Sequence, residues 1–165
     1  MASSGRLLLN AGLFQLGWFA CVLGAQRPLL LLLALVCLGV HLAWLAEPRE
    51  WRLLLGVSLI GWLLDSALLQ LGLFDFHRPG PLLPAWLALL WPLFASTLRH
   101  SLAWSARPWW RASLFGALGG PLSYWAGSQL AGVGLPLGTS TSMLVLALLW
   151  ALLLPLLQRL SRALI

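Results

Sequence analysis

Apolar residues come in long runs broken by short polar punctuation, and six of these runs are long enough to cross about 30 Å of hydrocarbon at 1.5 Å per residue. They cover roughly residues 7–25, 28–46, 51–73, 84–104, 112–131 and 139–158. The connections are short: Gln26-Arg27, Glu47 to Glu50, Phe74 to Leu83, Ser105 to Arg111 and Gly132 to Gly138. No linker, soluble domain or low-complexity tail separates them. The pattern predicts an all-α integral membrane protein, one compact bundle of six transmembrane helices occupying residues 1–165 as a single domain.

Composition narrows the class further. The chain is 61% hydrophobic and 8% charged, against about 25% charged in an ordinary soluble domain. All ten basic residues are Arg, spread singly or in pairs between apolar runs. That spread suits membrane orientation better than a nucleic-acid partner. With six spans, Arg6, Arg49, Arg52, Arg107, Arg111, Arg159 and Arg162 share one face, and Arg27 and Arg78 the other. The positive-inside rule then puts both termini in the cytoplasm of a bacterial inner membrane. Trp44, Trp51, Trp104, Trp109 and Trp110 fall at the cytoplasmic interface, where amphipathic rings anchor helices. Residues 7–25 resemble a signal peptide but lack a small-x-small cleavage site, and are read as a retained first span. Cys21 and Cys37 sit in apolar runs without metal-ligand spacing and are expected to pack as small hydrophobes.

The fifth run is built for close packing. Gly119, Ser123, Gly127 and Ala131 recur every four residues, with Gly116 and Gly120 as a second small stripe. Pro92, Pro121 and Pro155 are expected to kink their helices.

Polar residues inside the runs are the candidates for function, because a charge at bilayer depth costs several kcal/mol unless it is paired or hydrated, roughly 3–10 by different measures. Two layers emerge from depth counting. Asn10, His41, Arg99 and His100 lie near the cytoplasmic side; Gln15, Asp65, Ser66 and Tyr124 lie deeper, with Trp18, Trp62, Trp91 and Trp125 at similar heights. Asp65 and Arg99 differ in depth by roughly 13 Å, so a direct ion pair is not expected. Trp62, Asp65, Ser66, Leu69 and Gln70 share a helical stripe. Asp65 is either a structural tie to Tyr124 or Gln15, or a proton-titrating or ligand-orienting group in a cavity. Arg99 either snorkels to headgroups or joins His100, His41 and Asn10 in a basic pocket for a phosphate or carboxylate headgroup. His77, beside Asp75 and Arg78, reads as an exposed turn whose flanking Phe74 and Phe76 dip into the interface.

No protease, hydrolase, P-loop or Cys/His metal signature is present, and three scattered histidines give little support for a di-iron or haem site. No cofactor is expected. The sequence from Asn10 to Gly17-Trp18-Phe19, Leu64-Asp65-Ser66, Pro84-Ala85-Trp86-Leu87, Leu90-Trp91, Thr97-Leu98-Arg99-His100-Ser101 and Gly119-Gly120-Pro121-Leu122-Ser123-Tyr124 with Gly127 resembles the bacterial inner-membrane family DUF2878. The resemblance runs from about Asn10 to Trp150 and implies location and architecture without a reaction. Its members' frequent genomic neighbours, lipid-modifying proteins, imply membrane lipids and lipid-modifying enzymes as partners. The ligand-binding candidates are therefore Asp65, Ser66, Tyr124, Ser123, Arg99, His100, Asn10, Gln15, His41 and Trp91. Three functions remain open: lipid or hydrophobe binding accessory to lipid modification, proton-coupled transport through Asp65, and intramembrane catalysis with Asp65 or His100 as acid/base.

Overall fold

The computed structural model describes residues 4–77 and 82–164; Arg78, counted above with the outer face, lies outside them. Six α-helices follow in order: α1 Ser4–Gly24, α2 Leu30–Trp44, α3 Glu50–Gln70, α4 Ala85–Ala95, α5 Trp109–Ala131 and α6 Thr139–Ala163, with a 3-10 turn Ala103–Ala106 before α5. No strand occurs among the described residues. A lone antiparallel bridge between Asp75 and Gly134 ties the loop after α3 to the loop after α5. Three helices, α1, α3 and α6, are long and apolar enough to cross a membrane. The 23-residue α5 has the length but is less apolar, carrying Arg111, Gln129 and four glycines.

The fourth apolar run departs most from expectation. Instead of one helix over 84–104 it forms an 11-residue helix, about 16 Å long, followed by irregular turns. Pro92 cannot donate to the carbonyl of Ala88, and the Trp62 indole N–H takes that carbonyl at 2.8 Å. Past Ala95 the hydroxyls of Ser96 and Thr97 donate to the carbonyls of Leu93 and Phe94 at 2.7 and 2.6 Å. Such local bonds offer the backbone an alternative to the helical ladder. The helix ends there, and residues 96–106 continue as turns and the 3-10 segment.

That irregular backbone is satisfied by side chains from other helices. Buried Gln158 of α6 donates to the Leu102 carbonyl at 3.0 Å and to Ser105 Oγ at 3.1 Å. Asn10 of α1 donates to the Ser96 carbonyl at 3.1 Å.

Helices α5 and α6 pack closely, and the small stripe responsible is Gly116 with Gly120. A Cβ at Gly116 would strike the Trp150 carbonyl, and one at Gly120 the Trp150 ring. Gly119 meets only Phe115 of its own helix, and Gly127 faces Val22 and Trp18 at ordinary distance. Of the two stripes expected to pack closely, the longer one therefore meets no neighbouring helix tightly. On α3 the inward face is Val57, Gly61, Asp65 and Leu68, whereas Trp62 and Gln70 turn outward. The expected Trp62–Gln70 stripe does not share an environment. Cys21 and Cys37 are buried and free.

Candidate functional site

The polar candidates form two clusters at different heights. Around Asp65, which is fully buried, the Trp91 indole N–H donates to Oδ2 at 2.7 Å and the Tyr124 hydroxyl to Oδ1 at 2.6 Å. Trp91 reaches it because Gly61 on α3 leaves room: a Cβ there would collide with the indole. Tyr124 is held by a parallel stack on Phe74, centroids 5.4 Å apart. Phe74 is therefore buried in the core and does not lie in the interface, while His77 and Asp75 form an exposed pair at 3.2 Å as the turn suggested.

Above this network lies a cavity of about 570 Å³. Phe14 and Trp18 line it from α1, Phe74 and Phe76 from the bridged loop, and Trp86, Trp91 and Phe94 from α4. Phe115 and Tyr124 of α5 and Trp150 of α6 complete an aromatic wall. Its polar atoms come from Gln15, Thr97, Ser101, Ser123, Tyr124 and Ser128, and among the described residues no charged one lines it. Trp18 donates to Ser123 Oγ at 2.9 Å, joining α1 to α5 across one side. The Trp150 indole nitrogen is buried in this wall beside the Tyr124 hydroxyl. Phe115 and Leu122, 40% and 62% exposed, form a rim open to the outside of the bundle. Of the ten sequence candidates, Gln15, Trp91, Ser123 and Tyr124 line this cavity. Asp65 stands behind its wall, and half-buried Ser66 does not line it.

The second cluster gathers Asn10, His41, His100 and a residue that sequence reasoning left in a loop, Glu50. All four are buried. Glu50 opens α3, and its Oε2 accepts the Glu47 backbone N–H at 2.7 Å across the turn before the helix. Its Oε1 lies 3.1 Å from His41 Nε2, and both its oxygens lie 3.1 Å from His100 Nε2. Asn10 accepts from the Ser101 backbone N–H at 3.1 Å and from the Ser101 hydroxyl at 2.7 Å. Its amide nitrogen therefore faces both the Ser96 carbonyl and His41 Nδ1, the latter at 3.2 Å. That donor fixes His41 as the tautomer carrying its proton on Nε2, directed at Glu50.

Arg99 and Asp65 do not meet. The Arg99 guanidinium pairs with Glu47 and donates to the Ser161 carbonyl at 3.2 Å. The group expected to be a basic pocket thus contains two carboxylates. The signal for them was present: Glu47 and Glu50 bracket a Pro-Arg turn, and an acid at the start of an apolar run is a helix-start mark.

A family model described as "Protein of unknown function (DUF2878)" matches residues 7–156. No curated protein matches, and no solved structure matches.

Proposed function

The chain belongs to the DUF2878 family, and from that premise we propose that it is a six-span inner-membrane protein with both termini cytoplasmic, which binds a lipid or other hydrophobic ligand in its aromatic cavity as an accessory to membrane-lipid modification. The membrane part of this reading is supported by an outside that is apolar and an inside that is polar. Leu63, Leu118, Leu148 and Leu152 are 59–73% exposed, while Asn10, Glu50, Asp65 and Gln158 are at most 2% exposed. Water would invert that arrangement; hydrocarbon tolerates it. Exposed Trp51 and Trp110 carry Arg52 and Arg111 over their rings at 5.6 and 5.8 Å. Such pairs suit an interface.

The observation that carries the ligand reading is the cavity itself. Its volume falls in the range of small-molecule sites, about 300–1,000 Å³, and it shares their pattern of apolar walls with a few placed polar atoms. An uncharged lining favours a hydrophobe over an ion. Asp65 has both oxygens occupied and does not border the cavity, which disfavours it as the titrating group of a carrier. The test is a lipidome comparison of a deletion strain complemented with wild type or with Gly119→Phe, a ring placed in the cavity from a position free of tight neighbours. Loss of the same modified lipid species in the deletion and in Gly119→Phe is expected. Identical lipid profiles in all strains would remove the accessory role.

A further inference from the structure

We infer that His41, Glu50 and His100 form a binding site for a first-row divalent metal ion, with zinc the natural probe. One ligand atom from each side chain lies within 4.8 Å of the other two, in a set buried on every side. Both His–Glu separations are 3.1 Å. Metal bonds of about 2.0–2.1 Å in a tetrahedron place neighbouring donor atoms about 3.3 Å apart. Two of the three donor separations thus already match an edge of such a polyhedron, and the third lies within 4.8 Å. Two imidazoles and one carboxylate are the donor set of sites that keep a fourth position for water or substrate.

Two further features separate this set from an ordinary hydrogen-bonded core. Glu50 is wholly buried, yet Arg99, the residue beside His100, is committed to Glu47 and the Ser161 carbonyl. The hydrogen-bond partners of Glu50 are two imidazoles and one backbone N–H. A divalent cation neutralises such a carboxylate without another side chain. The three ligands also come from three places: the last turn of α2, the first turn of α3 and the irregular segment after α4. The helix break at Ala95 is what brings His100 beside the other two.

Asn10 sets the site's affinity. In the metal-free arrangement its amide donates to His41 Nδ1 and puts the imidazole proton where a metal would sit. Metal binding moves that proton to Nδ1, which then needs an acceptor. Asn10→Asp supplies one, as in the carboxylate–histidine pairs that support zinc ligands.

The full-length protein, purified in detergent and stripped with chelator, is to be titrated with zinc and separately with cobalt(II), whose visible bands report tetrahedral coordination. About one metal per chain is expected, with loss of the cobalt bands in Glu50→Gln and in His100→Gln. Asn10→Asp is expected to bind about tenfold more tightly. Absence of stoichiometric metal and of cobalt bands in the wild type would overturn the site, as would unchanged binding in folded Glu50→Gln. Should the ligand variants not fold, by helical circular dichroism, Asn10→Asp decides: tighter binding supports the site, and unchanged affinity refutes it.

Discussion

Asp65 is held by donors from two other helices, the Trp91 indole of α4 and the Tyr124 hydroxyl of α5. Depth along the runs picked out Asn10, His41, Asp65 and His100, which are buried, and Tyr124, which is half-buried, because an apolar run makes every polar interruption visible. The partners were not visible, since they depend on which helices touch. Tyr124 was one of two partners considered for Asp65; Trp91 arrived through the space left by Gly61, which no periodicity announces. Removing the Tyr124 hydroxyl leaves a buried carboxylate oxygen without its donor. Tyr124→Phe is expected to destabilise the protein by about 1.5–3 kcal/mol, the range for a hydrogen bond to a charged group, read as a lowered thermal midpoint in detergent. An unchanged midpoint would mean that Asp65 is not held as described. Glu50 was overlooked because it sits at a span's edge, where acids are ordinary; only the fold brings two histidines to it.

At the level of elements, the positions of five helices were legible to within a few residues, since length and hydropathy dominate there. The fourth was not. Pro92 was read as a kink, but Ser96 and Thr97 add local hydroxyl bonds that end the helix, and Trp62 and Gln158 from neighbouring helices make that ending tolerable. Sequence periodicity marked both small stripes on α5 for close packing and did not rank them, because the two look alike until α6 is placed. The distinction is measurable. Gly120→Val drives a side chain into the Trp150 ring and is expected to cost about 1–3 kcal/mol, as overpacked cores do. Gly119→Ala is expected to stay within about 0.5 kcal/mol. Equal costs would show that the α5–α6 contact runs along the other stripe.

For the molecule as a whole, charge asymmetry and the inverted distribution of polar and apolar side chains support one architecture. Alkaline phosphatase fused after residue 164 should be inactive, and a fluorescent protein fused there bright, if the C-terminus is cytoplasmic; the opposite pattern would reverse the orientation. The cavity itself was beyond reach from sequence, because its walls come from α1, α4, α5, α6 and the bridged loop. Its ten aromatics are distributed along the chain with no motif. The most direct measurement of the central claim is native mass spectrometry of the wild type and Gly119→Phe released from identical lipid. Wild type is expected to retain a bound lipid or other hydrophobe that survives detergent exchange, and Gly119→Phe to lose it while keeping its fold. Equal retention by both proteins, or none by either, would contradict ligand binding in the cavity.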